Sequence, residues 1–332
     1  MMLRILLLVL TLFGTQAFAA PQSNVLLRPI ELDTGSGTLY GSLVLPKSDK
    51  PVPVVLLIAG SGPTDRDGNN SQGGRNDSLK KLAWRLAQNN IASVRFDKRG
   101  IAHSLAAAPD ERTLTLDQYV DDAVAWGNKL KSDPRFSKVF LLGHSEGALV
   151  ATLAAPRINA AGVISIAGTG RPVGQVLREQ LQRNNLPPAL LKRSFELISS
   201  LEAGQADDNV PSELQVVFRP SVQPYLISLL RVNPAAAFSA LKMPAMIIQG
   251  THDIQVDVKD ARLLKAAKPD AALTLVHGMN HVMRIVPMDM KRQILSYNDP
   301  NQRLAGEVGD RIVRFIAKVN AAQPSSPTHN GR

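Results

Sequence analysis

An apolar run that ends in the pentapeptide Gly-His-Ser-Glu-Gly constrains the fold of this chain more than any other feature. Residues 138–150 read KVFLLGHSEGALV, so a strand-like stretch leads into residues 143–147 and then into a helix-compatible stretch. A G-x-S-x-G sequence in this context is typical of a sharp strand-to-helix turn, where the serine is held in a strained conformation with its hydroxyl exposed above the sheet. The sequence therefore predicts Ser145 as a nucleophile.

Residues 1–19 carry the pattern of a secretory signal. Arg4 is their only charged side chain, an apolar run follows it, and Ala17 and Ala19 place small residues at positions −3 and −1 of a cleavage site. The apolar run has about ten residues, against the roughly twenty that cross a bilayer. We therefore expect cleavage after Ala19, an exported protein that is periplasmic or secreted, and no stable membrane anchor.

The composition excludes several kinds of site. The chain of 332 residues contains no cysteine, which excludes disulfides, thiolate metal sites, a cysteine nucleophile and a lipidated amino terminus. Loss of Arg4 with the signal would reduce 38 basic side chains to 37 against 28 acidic ones, a net charge of +9. The basic residues are scattered and form no Lys/Arg stripe, so we expect no nucleic-acid partner.

Apolar runs and helical periodicities alternate along the chain, and this alternation predicts an α/β fold. Residues 52–59 are apolar on both alternating faces, as in a central strand that is covered by helices on each side. Residues 25–32 and 38–45 predict an opening hairpin. Further strands are predicted at residues 91–96, 161–167, 245–249 and 272–277, and helices at residues 78–88, 116–130, 258–267 and 309–319.

The segment between the strands predicted at 161–167 and 245–249 reads as helices. Apolar residues recur there at helical spacing, and prolines and a glycine interrupt them. Because ligands bind at the carboxyl edge of a parallel sheet, a helical insertion is interpreted as a lid over the site. The helices are predicted at residues 175–184, 188–201 and 222–230.

These patterns divide the chain into a signal peptide, a core, a cap and a mobile tail. The cap has more apolar side chains than three short helices need, so we expect some of them to face Ser145 in a partly apolar pocket. The side chains concerned are Leu177, Leu181, Leu190, Leu191, Phe195, Ile198, Phe218, Tyr225, Leu226 and Leu229. The segments are 1–19 for the signal, 20–170 and 243–320 for the core, 171–242 for the cap and 321–332 for the tail.

Three motifs in order resemble the α/β-hydrolase family, and the resemblance extends from the opening hairpin to the last helix. Residues 143–147 match its nucleophile elbow, residues 250–253 (Gly-Thr-His-Asp) follow the next-to-last strand as its acid loop does, and residues 278–281 (Gly-Met-Asn-His) follow the last strand. The order Ser, Asp, His is the family's own. The resemblance implies a mostly parallel sheet with helices on both faces and a triad of Ser145, Asp253 and His281.

The chemistry requires each member of this set. A serine hydroxyl is a weak nucleophile, so an imidazole must accept its proton, and a carboxylate must orient that imidazole. His277 competes with His281 for the role of base, but it ends a strand, whereas His281 lies on a loop that can fold over the elbow. Asp257 and Asp260 compete with Asp253, but they lie at the start of the next helix, where acidic residues complement the helix dipole.

The other histidines do not predict a metal site. His144 flanks the nucleophile and is expected to shape the elbow, while His103, His252 and His329 read as ordinary loop residues. Residues 65–69 resemble the start of a calcium loop, but the glycine falls two places early and the final acid is missing. We therefore expect no metal and no cofactor.

Two amide donors are needed for the oxyanion of the tetrahedral intermediate. The N–H of Glu146, directly after the nucleophile, is one. The second is expected after the strand at 52–59 and is assigned to Ser61, with Gly62 as the alternative. Residues 60–68 resemble the corresponding loop of bacterial esterase-like and S33-peptidase-like hydrolases, and residues 97–100 resemble the family's Asp-x-Arg-Gly loop, whose charged residues brace the site.

The sequence thus predicts an exported serine hydrolase, favouring a carboxylic-ester hydrolase that acts on a small-molecule ester or related acyl substrate through an acyl-enzyme. One alternative is an aminopeptidase or amidase, whose cap would have to present a carboxylate to a substrate amine; Glu179, Glu196 and Glu202 are the candidates. Another is a non-catalytic binding protein that kept the fold. Packing does not require Ser145, Asp253 and His281 at strand ends, so their presence argues against a non-catalytic binding protein.

Overall fold

The computed structural model describes residues 24–322. The predicted signal peptide and residues 323–332 of the predicted tail lie outside this range. Ala321, at the start of that predicted tail, still belongs to the last helix. Within the described part of the chain, no helix is long and apolar enough to cross a membrane.

Within residues 24–322, eight strands form a single sheet in the order β1-β2-β4-β3-β5-β6-β7-β8. The strand β2 runs antiparallel to both of its neighbours, β1 and β4, and the other neighbouring pairs are parallel, so the predicted mostly parallel sheet is confirmed. The strands are β1 Val25–Asp33, β2 Thr38–Pro46, β3 Val52–Ile58, β4 Ala92–Phe96, β5 Phe136–His144, β6 Gly162–Ile166, β7 Ala245–Gly250 and β8 Ala272–Val276.

Helices cover both faces of this sheet. The predicted helices of the core are present, and α6, α8 and α10 were not predicted from the sequence. In chain order the helices are α1 Ser78–Ala87, α2 Leu116–Lys131, α3 Glu146–Ala154, α4 Val173–Arg183, α5 Pro188–Glu202, α6 Gln215–Phe218, α7 Gln223–Leu230, α8 Pro234–Ser239, α9 Val258–Ala267, α10 Met290–Tyr297 and α11 Gly306–Ala321.

The central strand β3 shows how the two faces are filled. Leu56 and Ile58 belong to the apolar cluster that includes Trp126 of α2, whereas Val55 and Leu57 belong to the cluster on the other face, with α1 and α11. Successive side chains of a strand point to opposite faces, so a continuous apolar run buries both sides. Because both of its faces are buried, β3 lies in the middle of the sheet. Its carboxyl end lies next to the elbow.

Five α-helices, α4 to α8, lie in the fully described segment between β6 and β7. Their apolar side chains pack largely on one another, with Leu197, Leu201 and Phe218 fully buried in a separate cluster. Tyr225 instead packs toward the core, where its ring centroid lies 5.3 Å from that of Tyr119. The assignment of residues 171–242 as a substrate-selecting cap stays a prediction.

A buried ion pair joins the start of this segment to α9. Arg171 binds Asp260 through Nη2 and Oδ2 at 2.8 Å and through Nε and Oδ1 at 3.0 Å, and the Asp260 carboxylate also accepts the N–H of Gly170 at 3.0 Å. Asp260 has no exposed side-chain surface. Its role is therefore more than the helix-dipole complement expected from the sequence.

Candidate active site

Ser145 sits at a strained turn between β5 and α3. Its φ is 56° and its ψ is −123°, a conformation that non-glycine residues rarely adopt. Gly143 and Gly147 allow the chain to pass so closely, because a Cβ on Gly143 would lie 1.9 Å from the Gly147 oxygen. A Cβ on Gly147 would lie 2.3 Å from the oxygen of Ile58. Both glycines of the pentapeptide are therefore required by backbone contacts.

His281 and Asp253 are brought together from two different loops. The Nδ1–H of His281 donates to Oδ2 of Asp253 at 2.9 Å. The carboxylate has no exposed surface and the imidazole only 6%. Because a carboxylate can only accept, this bond places the proton on Nδ1 and leaves Nε2 free to accept another.

The ionised form of Asp253 is stabilised by several donors. Burial opposes ionisation, but the interaction with His281 and the N–H groups of Val256 and Gln255 hold the pKa of the carboxyl below its ordinary value. Gln249, which was not predicted, donates its amide to Oδ2 at 3.1 Å and to the Val256 carbonyl at 2.9 Å. A polar residue inside the otherwise apolar next-to-last strand, β7, was the available sequence signal.

The residues that compete with His281 and Asp253 for the roles of base and carboxylate make other contacts. His277 is exposed, and its ring lies 5.8 Å from that of His252. Asp257 caps α9 by accepting the N–H of Lys259 at 2.9 Å, and Asp260 is occupied by Arg171.

His144 links the elbow to the histidine loop. Its Nε2–H donates to the carbonyl of His281 at 2.8 Å, and the two ring centroids lie 4.8 Å apart. Burial, reinforced by His281, lowers the pKa of His144 to about 4. The ring is therefore neutral at ordinary pH with its proton on Nε2, since a carbonyl can only accept. The sequence indicated a role at the elbow but not this bond.

Ser145 and His281 line one pocket. Within the described residues, the hydrogen bonds do not include one between the Ser145 hydroxyl and the His281 ring; such bonds are often long without substrate. The lining of this pocket contains no residue of 171–242, and many of the apolar cap side chains pack on one another, so the expected contribution of the cap to the pocket stays a prediction. Other lining residues include Ser61, Thr64, Asn70, Gln255, Val282 and Tyr297.

One of the two predicted sources of oxyanion donors lines this pocket, and the other directly follows Ser145. Glu146 is the first residue of α3, so its N–H is one of the helix's free amino-terminal donors and lies at the positive end of the helix dipole. Gly60 and Ser61 line the pocket beside Ser145. The carbonyl of Ser61 accepts the hydroxyl of Thr64 at 2.7 Å.

The charged residues of loop 97–100 pair with other segments rather than with each other. Asp97 binds Arg66 at 2.6 Å, and Arg99 binds Asp122 at 2.5 Å. The first pair connects this loop to residues 60–68, and the second connects it to α2. Both acids are buried, so the pairs fix loop 97–100 to these two segments.

Comparison with known proteins identifies the family. Residues 73–285, more than half of the chain, match the model of the family described as serine aminopeptidase, S33. The chain belongs to this family of α/β serine hydrolases. Esterase EstD of Thermotoga maritima is 31% identical over 257 residues, which cover 76% of this chain and 60% of the relative. The match therefore spans about three fifths of the relative's length.

Solved structures share the fold of this S33 family member. Est1E of Butyrivibrio proteoclasticus, in a structure with bound ferulic acid, has a TM-score of 0.59 at 16% identity and covers 87% of this chain and 99% of its own. The α/β hydrolase GrgF of Penicillium sp. sh18 has a TM-score of 0.58 at 19% identity, with 89% and 99% covered. At such identities the likeness shows the fold alone.

Proposed function

We propose that this protein is a serine hydrolase that cleaves carboxylic esters through an acyl-enzyme on Ser145, with His281 as the base and Asp253 as the acid that orients it. One observation carries the proposal: His281, held by a buried carboxylate, lines the same pocket as a serine in a strained elbow. Packing alone needs neither the strained serine nor the buried polar pair, so a non-catalytic role is disfavoured.

The geometry supports a two-step reaction. Ser145 Oγ attacks the ester carbonyl while its proton passes to Nε2 of His281, and the carbonyl oxygen becomes an oxyanion. Collapse of this intermediate breaks the bond to the alkoxide, which takes the proton from Nε2 and leaves as an alcohol. Water then attacks the acyl-enzyme and gives its proton to Nε2; collapse releases the carboxylic acid and returns the proton to Ser145.

Esters are favoured over peptides, although the family description names an aminopeptidase. An aminopeptidase needs a carboxylate that is free to bind the substrate amine. The relative with 31% identity is named an esterase. The three candidate carboxylates of the cap already have basic partners: Glu179 with Arg171 and Lys259, Glu196 with Lys192 and Arg193, and Glu202 with Arg178.

Turnover of two substrate classes tests the proposal. The purified protein should hydrolyse short p-nitrophenyl esters at least about a hundredfold faster than amino-acid p-nitroanilides, and Ser145→Ala should lose about 10³-fold or more of the ester activity. Equal ester turnover by the folded Ser145→Ala variant would refute the mechanism. Faster turnover of the anilides would favour the aminopeptidase instead.

Export is part of the same proposal. It rests on the pattern of residues 1–19, with small residues before a cleavage point at Ala19. Expression with the natural amino terminus in a Gram-negative host should yield a periplasmic or secreted protein whose first residue is Ala20. Recovery from the cytoplasm with residues 1–19 intact would contradict it.

A further inference from the structure

A buried lysine lies beneath the loop that follows β3. Lys98 is only 3% exposed. Its Nζ donates to the carbonyl oxygen of Gly60 and, at 3.1 Å, to that of Gly62, and it lies 5.4 Å from the centroid of the Tyr119 ring. Burial lowers the pKa of this amine, and Glu146 opposes the shift. A lysine is seldom buried so completely without a specific set of partners.

The contact between Lys98 and the carbonyl of Gly60 sets the direction of the Ser61 N–H. Within the described residues every peptide bond is trans. In a planar trans peptide the C=O and the N–H point in opposite directions, so the carbonyl of Gly60 and the N–H of Ser61 share one rigid unit. A donor that holds the Gly60 oxygen therefore directs the Ser61 N–H away from Lys98.

The position of Gly60 places this peptide next to the nucleophile. A Cβ on Gly60 would lie 3.2 Å from the Cβ of Ser145, so only a glycine lets the loop approach the elbow without displacing a neighbour. Gly60, Ser61 and Ser145 line the same pocket. The Gly60–Ser61 peptide is thus fixed at one end by the elbow and at its carbonyl by Lys98.

The neighbouring peptide is held differently. The N–H of Gly62 belongs to the same unit as the carbonyl of Ser61, and that oxygen accepts the hydroxyl of Thr64 in an exposed hydrogen bond of 2.7 Å. A neutral, exposed hydroxyl constrains and polarises a peptide less than a buried amine does. The two candidates for the second oxyanion donor therefore differ in how firmly they are oriented.

We propose that Lys98 is a positioning residue that holds the Gly60–Ser61 peptide so that the N–H of Ser61, and not that of Gly62, is the second oxyanion donor. The inference rests on the proposed serine hydrolase function. A donor that is oriented before the reaction stabilises the oxyanion without reorganisation as charge develops. A donor that acts only on the oxyanion affects kcat and leaves substrate binding nearly unchanged.

Lys98→Met tests this role, because methionine keeps much of the side-chain volume and removes the donor. We expect kcat for a p-nitrophenyl ester to fall by about 10- to 100-fold while KM changes by less than about threefold. The inhibition constant of a trifluoromethyl ketone, which forms an oxyanion on the serine, should rise by the same factor as kcat/KM falls. A merely structural lysine would not produce this correlation.

Lys268→Met is the matched control. Lys268 is also buried, at 6% exposure, and its Nζ also donates to a backbone carbonyl, that of Leu241 at 3.0 Å, but it lies outside the site. Its replacement should lower the melting temperature and leave kcat and the ketone affinity unchanged. Should Lys98→Met not fold, Lys98→Leu, which also removes the donor, is measured against the same expectations.

Thr64→Val distinguishes the two donors. If Ser61 supplies the N–H, this variant should lower kcat by a smaller factor than Lys98→Met does, although the place of Thr64 in the pocket lining allows KM to change. A larger loss in Thr64→Val than in Lys98→Met would assign the role to Gly62 and overturn the inference. So would a folded Lys98→Met or Lys98→Leu enzyme with wild-type kcat, while the proposed function would stand. A wild-type protein without ester turnover would overturn both.

Discussion

The Nδ1 atom of His281 lies 2.9 Å from Oδ2 of Asp253, and the carboxylate at the end of this bond is fully buried. Asp253→Asn should therefore lower kcat by about 10³- to 10⁴-fold, because the amide neither fixes the tautomer nor stabilises the imidazolium. Steady-state hydrolysis of a p-nitrophenyl ester measures the loss. Asp257→Asn is the control, since asparagine caps a helix as well as aspartate does, and it should retain its activity. An active Asp253→Asn enzyme would remove Asp253 from the mechanism.

The partly buried imidazole of His144 should make the fold sensitive to mild acid. Its pKa is lowered from 6.5 to about 4, mainly by burial and then by His281, with Asp253 acting in the opposite sense. Below about pH 6.5 the unfolded ring takes up a proton that the folded ring does not, so stability falls as the pH falls toward 4. The loss attributable to this ring is about 2 kcal/mol at about pH 5.

Urea unfolding near pH 7.5 and near pH 5 measures this effect. His144→Gln keeps an amide that can donate to the His281 carbonyl but does not titrate. The free energy of unfolding of this variant should fall by about 2 kcal/mol less than that of the wild type between the two pH values. An equal fall in both proteins would show that His144 does not carry the acid sensitivity.

The lining of the pocket predicts which residues set substrate size. Tyr297 and Val282 are the larger apolar side chains in the lining beside Ser145, whereas Phe195 lines a separate groove on α5. Tyr297→Leu should shift the preferred acyl length in a series of p-nitrophenyl esters toward longer chains, because it removes the phenol ring from the wall. Phe195→Ala should leave the profile unchanged. The opposite pattern would support the cap as the specificity element.

Much of the fold is encoded locally and could be predicted from the sequence. Residues 52–59 are apolar on both alternating faces, and this pattern identifies a doubly covered strand wherever it occurs. The elbow could be predicted because Gly143 and Gly147 meet a requirement set by backbone contacts within a few residues and with the adjacent strand. Asp253 and His281 could be predicted from the order of the motifs. Both follow parallel strands, whose carboxyl ends lie at the same edge of the sheet, so the two side chains lie close together.

Other features depend on contacts that the sequence pattern conceals. The helix α10 was missed because its burial is inverted: Gln293 and Ser296 are buried while Ile294 and Leu295 are exposed. The helix α6 has only four residues, too few for a periodic signal. The sequence does not single out Lys98, and only the packing of the loop after β3 over it shows its contact with Gly60. Apolar content could not show that the cap side chains would pack together.

Covalent labelling is the most direct test of Ser145 as the nucleophile. Wild-type protein is incubated with a fluorophosphonate, digested, and the modified peptide is identified by mass spectrometry. Because the probe requires an activated serine hydroxyl, we expect a single adduct on Ser145, no labelling in Ser145→Ala, and labelling at least about a hundredfold slower in His281→Ala. Folded wild-type protein that takes up no probe, or carries it on another residue, would show that Ser145 is not the nucleophile.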